Sequence, residues 1–312
     1  NKTGQVEHNN FLLFARYQSL NNRYRAMGHF ATARHTVAEQ GGIRPQPNQL
    51  DTLADGTIYP DLTLLFGYQR EVVNLTNAKN RDSRDRVRLL HSYDLLGRGL
   101  RAYHLFDWSR QLNRYTDEQP APGGVRNPFY PVNRLSQVGT DDRAEFRQLE
   151  NTVGVMGQSA RVAYRLYGRY RVYSLETRSA FRAPPVVGEA LPRVGGPSQL
   201  FAGGTAAFAY RQFAIETAGE VKPSVEALEF WLSGRARLGA LSGELLLTSA
   251  APTLTEQQFS GNHFEWNTNF RNVAVQQFRV RAARQLGRHF VEAVATAANI
   301  ENYVYYSVDA AS

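Results

Sequence analysis

The stretch Arg161-Val162-Ala163-Tyr164-Arg165-Leu166-Tyr167-Gly168-Arg169-Tyr170-Arg171-Val172 restricts the fold more than any other part of the chain. Side chains alternate across an extended strand, so Arg161, Arg165, Arg169 and Arg171 fall on one face. Val162, Tyr164, Leu166, Gly168, Tyr170 and Val172 fall on the other. As a helix, Tyr164, Tyr167 and Tyr170 would ring the axis without forming one apolar stripe. A period of two fits, and the strand it describes is cationic on one side and apolar on the other.

The same pattern recurs along the chain in hairpins. Phe11 to Gln18 turns at Leu20-Asn21-Asn22-Arg23 into Tyr24 to Thr36, Asn being tolerant of positive φ. Arg84, Arg86, Arg88 and Ser92 alternate with Val87, Leu89, His91, Tyr93 and Leu95, and the chain reverses at Gly97-Arg98-Gly99. The return sets Ala102, His104, Phe106 and Trp108 against Arg101, Tyr103, Asp107 and Ser109. Phe146 to Met156 partners the arginine-rich strand through Gly157-Gln158-Ser159. Gln199 to Ala218 turns near Arg211-Gln212. Phe230, Leu232, Gly234, Ala236 and Leu238 alternate with Glu229, Trp231, Ser233, Arg235 and Arg237 before Leu241 to Thr248 returns. Arg271 to Arg284 turns at Leu286-Gly287-Arg288 into Phe290 to Tyr306. The count is about 12 strands in six hairpins over one domain, residues 1–312, with long polar connections near 38–61 and 117–142.

Strands of about 10–14 residues exceed the usual 5–6 of a soluble sandwich and suit a bilayer crossing, which takes about 9–11. Small residues on the apolar set (Ala102, Gly168, Gly234, Ala236, Ala293, Ala295) would leave voids in a dry core but not against mobile acyl chains. Tight turns alternating with long loops match an outer-membrane barrel, and closure removes exposed sheet edges. The expected fold is therefore all-β: an antiparallel transmembrane β-barrel, in part or whole. No window approaches 18 consecutive apolar residues, and mean hydropathy is −0.44, so no helix is expected to span a membrane.

Charge supports the same reading. Of 36 basic residues only Lys2, Lys79 and Lys222 are lysines, and the net charge is +8. A nucleic-acid binder would gather such charge into a patch, whereas here arginines are spread at alternate positions of strands. Without cysteine there is neither a disulfide scaffold nor a thiolate metal site. The start Asn1-Lys2-Thr3-Gly4 shows no signal peptide, and the chain reads as processed or trimmed.

Several segments resemble the β-barrel porins of Bacteroidota: Gln40-Gly41-Gly42-Ile43, Asn74 to Asn80 leading into Leu90 to Leu95, Gly261-Asn262-His263-Phe264-Glu265-Trp266-Asn267-Thr268-Asn269-Phe270, and Asn299 to Tyr306. The resemblance runs over nearly the whole chain, and it implies an outer-membrane location in a Gram-negative bacterium and passive solute passage. Members of that family are longer, which implies further strands at one or both ends and leaves the strand count of the whole open.

Two readings of the arginines stand side by side. Arg86, Arg88, Arg161, Arg165, Arg169, Arg171, Arg235, Arg237, Arg279 and Arg281 would line a pore and draw anions. Alternatively they pair with Glu150, Glu229, Glu244 and Glu292 and brace the wall. The opposite set, Val162, Tyr164, Leu166, Tyr170, Phe106, Trp108 and Phe230, would face lipid, its aromatics joining Tyr303 and Tyr305 in interfacial girdles or stacking sugars in a groove. The seven histidines show no metal-ligand spacing. The Gly-Gly pairs at 41-42, 123-124, 195-196 and 203-204 read as turn or loop glycines. No catalytic motif, cofactor or metal site stands out, so the expected partners are outer-membrane lipid and small solutes, with nucleic acid excluded and a homo-oligomer or envelope partner left open. The competing function is a surface-exposed or plugged β protein that binds or scaffolds.

Overall fold

The computed structural model describes residues 6–42, 73–96, 99–120, 129–180, 193–195, 198–223 and 228–306. Gly97, Arg98 and much of the loop expected near 38–61 lie outside these.

The strands are β1 (Val6–Gln18), β2 (Tyr24–Glu39), β3 (Ala78–Asp94), β4 (Arg101–Asp117), β5 (Thr140–Gln158), β6 (Val162–Ser179), β7 (Arg193–Gly195), β8 (Gln199–Tyr210), β9 (Phe213–Lys222), β10 (Glu229–Leu238), β11 (Leu241–Ala250), β12 (Gln258–Ser260), β13 (Glu265–Asn267), β14 (Val273–Leu286) and β15 (His289–Glu301). One helical turn, α1 (Leu254–Gln257), is closed by a capping box between Thr253 and Glu256. Twelve strands form one antiparallel sheet in the order β1-β2-β3-β4-β5-β6-β8-β9-β10-β11-β14-β15, with β7 added on β6 and the β12-β13 hairpin separate. The short turns are made where the sequence supplies positive φ: Asn22 (59°), Arg211 (54°), Gly239 (57°) and Gly287 (60°). Among the described residues the outer edges of β1 and β15 are unpaired.

Register gives the strand tilt. A single rung runs Tyr24, Tyr93, Ala102, Val155, Leu166, Gly204, Gly219, Leu232, Leu247, Gln276, Asn299 across eleven strands. It starts on the first residue of β2 and ends ten residues past His289, the first of β15. The slide is thus about one residue per strand, or about 3.3 Å against about 4.8 Å between strands, a tilt of about 35°. Barrels are sheared in this way.

Burial separates the two faces. Along β6 the apolar members are exposed (Val162 42%, Leu166 58%, Tyr170 44%) while the alternate Arg165, Tyr167, Arg169 and Arg171 are partly covered. The described residues hold few buried hydrophobics: Leu75, Ala78, Tyr103, Tyr130, Leu175 and Phe201. The apolar surface is outside, the reverse of a soluble fold. From Val162 to Val172 it covers about 27 Å of height at this tilt, close to the ~25 Å of an outer-membrane apolar band. An arginine at position 166 would sit in that band. We expect Leu166→Arg to destabilise the protein in lipid vesicles by about 2–4 kcal/mol, read from denaturant midpoints, with Arg165→Leu costing less.

Three expectations need correction. Gly203 and Gly204 are not loop residues but lie inside β8, because a Cβ on Gly203 would meet the Tyr167 hydroxyl at 2.6 Å and one on Gly204 would meet the Arg165 carbonyl at 2.8 Å. Tyr303 and Tyr305 stand beyond the end of β15 at Glu301, 69% and 73% exposed. Strands β3 to β6 run 17–19 residues, well past the length a bilayer needs.

Candidate functional site: the arginine face and its latch

By register, Arg86, Arg88, Arg165, Arg169, Arg171, Arg235, Arg237, Arg279 and Arg281 share one face. Arg161 lies in the turn before β6, its guanidinium 4.7 Å from the Tyr210 ring. The face borders an open hollow of about 840 Å³ toward the short turns, lined among others by Arg101, Arg165, Glu216, Arg235 and Glu244.

Most of these arginines are held by carboxylates. Arg86 grips Asp107 with two nitrogens, at 2.9 and 2.5 Å, and Arg88 lies 3.7 Å from the same group. Arg169 bridges Glu150 and Glu220, each at 2.5 Å, and its guanidinium lies 3.9 Å from the Phe201 ring centre. Arg171 shares Glu150 at 2.6 Å. Arg235 meets Glu244 at 2.8 Å, Arg279 stands 3.9 Å from it, and Arg281 meets Glu292 at 2.7 Å. Glu229 pairs with Lys222 rather than with an arginine. Two members have no carboxylate partner among the described residues. Arg165 donates to the Tyr103 hydroxyl at 2.5 Å and lies over its ring, and Arg237 makes no ion pair among the described residues. Gly154 makes room for this packing, since a Cβ there would strike the Leu166 carbonyl and the Tyr103 ring.

Sequence reasoning missed a second feature on this face. The connection from β11 to β14 carries the β12-β13 hairpin away from its own strands, past β10, β9 and β8, and sets its tip against the far ends of β5 and β6 and the connection that precedes β5. Around the sheet β11 and β5 are five strands apart, about 24 Å. The tip docks through Asn262, which is fully buried. Its Oδ1 accepts from the amides of Leu135 and Ser136, both at 2.9 Å, and its Nδ2 donates to the Ser136 carbonyl and Thr140 Oγ1. Its own amide donates to Asp142 Oδ2 at 2.7 Å. Gly261 must lack a Cβ, which would come within 2.5 Å of that carboxylate.

His263 completes the latch. Its Nδ1 donates to the Val132 carbonyl at 2.9 Å, and burial favours the neutral ring, whose Nε2 accepts from Thr140 Oγ1 at 2.8 Å. Tyr130 stacks on it, centroids 3.7 Å apart and 6° from parallel, and donates to Asp117. Tyr115 joins through the Tyr130 hydroxyl, and burial pushes its phenol up to about 12. Arg134 and Glu265 close the rim with an ion pair.

A family described as putative porins matches residues 2–312. The chain belongs to this porin family. Membership makes it a porin-like outer-membrane protein built of β-strands. No curated protein matches the sequence. Among solved structures it is similar to BauA, the ferric preacinetobactin receptor from Acinetobacter baumannii, at 12% identity and a TM-score of 0.46, covering 93% of this chain and 46% of that one. The porin chain thus spans about half that receptor's length, and a likeness at this score is carried no further.

The porin's latch is pH-sensitive in a defined sense. Burial lowers the His263 pKa below 6.5, against the opposing pull of the Val132 carbonyl and of Asp142 and Asp117. An undocked imidazole takes its proton first, so docking is complete above 6.5 and weakens as pH falls through that value. Asp142, raised by burial, acts oppositely: its contribution is full below 3.8 and is lost as pH rises through its docked value. Hydrogen exchange at the Ser136 and Asn262 amides should accelerate on going from about pH 7.5 to about pH 6 after correction for intrinsic rates. A His263→Gln porin should lose that dependence.

Proposed function

We propose that this porin is an outer-membrane channel through which small solutes diffuse passively along its arginine face, with a modest preference for anions. The observation that carries this reading is the reversed polarity of the sheet: exposed Leu166 and Tyr170 alternate with partly covered Arg165, Arg169 and Arg171. Carboxylates neutralise most of the arginines, so a strong field is not expected. Arg165 and Arg237, which pair with no carboxylate among the described residues, supply the bias. The test is the reversal potential of the purified protein in planar bilayers under asymmetric KCl. Anion preference that falls in an Arg165→Gln/Arg237→Gln variant supports the proposal, and cation preference in the unaltered protein removes it.

A plugged barrel that binds or scaffolds is the second reading, favoured by the docked latch, which passes three strands to reach the ends of β5 and β6. Absence of any conductance in the same bilayers selects it.

A further inference from the structure

Beyond the last apolar rung, Phe30-Val87-Trp108-Leu149-Val172, the lipid-side face of β2 to β6 changes character within one step. The next rung is Thr32-Asp85-Arg110-Arg147-Ser174, then Arg34-Ser83-Leu112-Glu145-Glu176, then Thr36-Arg81-Arg114-Arg143-Arg178. The third of these sets four arginines directly opposite one another on four adjacent strands. Like charges in directly opposed pairs destabilise a sheet. Local carboxylates answer only part of this charge. Asp141 takes both Arg114 (2.7 Å) and Arg143 (3.2 Å), which pull its pKa down, and Glu145 takes both Arg110 (2.6 Å) and Arg147 (2.8 Å). Asp85 pairs with Arg34 and lies opposite Arg110, and Glu176 faces Arg147, so seven arginines stand against four carboxylates and the excess positive charge gathers on the four-arginine rung. Arg81 and Arg178 make no ion pair among the described residues and are exposed. Between the rungs lies a depression of about 80 Å³ lined by Arg110, Leu112, Arg143, Glu145, Glu176 and Arg178.

We propose that this collar is a binding site for the phosphorylated sugar headgroup of an outer-leaflet glycolipid. The inference rests on the outer-membrane reading above. Position and reach favour that occupant over a simple phospholipid. The Arg110-Arg147 rung is about 5 Å in height above the apolar band, at the level of headgroups, whereas the four-arginine rung is about 16 Å above it at a 35° tilt. A phospholipid headgroup layer is about 5–8 Å deep, so only a longer, sugar-bearing headgroup spans both rungs. Guanidiniums suit phosphate through paired donors, and Glu145 and Glu176 offer acceptors for sugar hydroxyls.

The experiment is native mass spectrometry of the full chain in detergent micelles, titrated with rough lipopolysaccharide, with the same lipid after chemical dephosphorylation, and with inorganic phosphate as competitor. The phosphorylated lipid should bind at least about tenfold more tightly than the dephosphorylated one, and Arg143→Gln/Arg178→Gln should remove most of that difference. Arg288→Gln, which removes one positive charge in the opposite turn, should leave it unchanged. Heat-modifiable migration reports folding of each variant. If the double variant does not fold, the Arg178→Gln single variant carries the test, with a loss of about threefold expected. Equal binding of the two lipids, or variants that bind as the parent does, overturns the proposal, and displacement by inorganic phosphate at low concentration reassigns the site to free phosphate. Phosphate-dependent lipid binding without conductance would instead contradict the channel reading and leave the collar standing.

Discussion

Replacing Asn262 with alanine will undock the β12-β13 hairpin and widen the path along the arginine face. The substitution leaves the Leu135 and Ser136 amides without their acceptor and Thr140 without its donor, in a place where Asn262 itself has no exposed surface. Orphaned buried partners cost about 1–3 kcal/mol each, so docking should weaken by about 3–5 kcal/mol in all. Of these partners only Thr140, at the first position of β5, belongs to the twelve-strand sheet, and it joins through its side chain, so the sheet should persist, with unchanged far-ultraviolet circular dichroism. In planar bilayers the single-channel conductance of Asn262→Ala should rise, with larger current fluctuations. Protease cleavage near 260–266 should quicken. An unchanged conductance would mean that the hairpin rests on the wall without narrowing the passage.

Arg169→Gln should have the largest effect on charge selectivity of any single change on this face. Arg169 is the one guanidinium shared between Glu150 and Glu220, and its side chain is only 15% exposed. Without it Glu220 loses its ion pair, and Glu150 keeps Arg171 alone. Uncompensated carboxylates in a partly desolvated wall cost about 3 kcal/mol. The reversal potential under asymmetric KCl should move toward cation preference. Arg169→Lys should recover little stability, because a single ammonium cannot hold two carboxylates and lie flat on Phe201 as a guanidinium does. A reversal potential that does not move would leave the lattice a brace with no influence on passing ions.

How much of this was legible in the sequence follows from what alternation can encode. Arg165, Arg169 and Arg171 against Leu166 and Tyr170 gave away both the strand and its two faces, since facing depends on parity alone. Asn21-Asn22, Arg211-Gln212 and Leu286-Gly287-Arg288 marked turns that the backbone makes with positive φ at Asn22, Arg211 and Gly287. Pairing partners were harder. Glu220 and Asp107, which hold Arg169 and Arg86, could be matched only once register was fixed, and register is a property of two strands rather than one. The lengths of β3 to β6 were underestimated for a related reason. Beyond the Trp108 rung both faces carry polar side chains, so Arg110, Glu145 and Arg178 break the alternation while the backbone pairing continues.

The latch was the least legible element. Its contacts join residues more than 120 positions apart, such as Asn262 with Leu135 and Ser136, and are made by polar groups with no periodicity. Gly261-Asn262-His263 was conspicuous only through family resemblance. The signal that could have found it was chemical: a glycine, an amide and an imidazole in succession inside a long connection, a composition suited to a buried polar tip.

The chain has no cysteine, so introduced thiols report without background. Single cysteines at 164 to 172, in protein reconstituted into lipid vesicles permeabilised to give access from both sides, can be challenged with a charged, membrane-impermeant maleimide. The two-faced sheet predicts labelling at 165, 167, 169 and 171 and protection at 164, 166, 170 and 172. Uniform labelling, or labelling of the even set with protection of the odd, would contradict it.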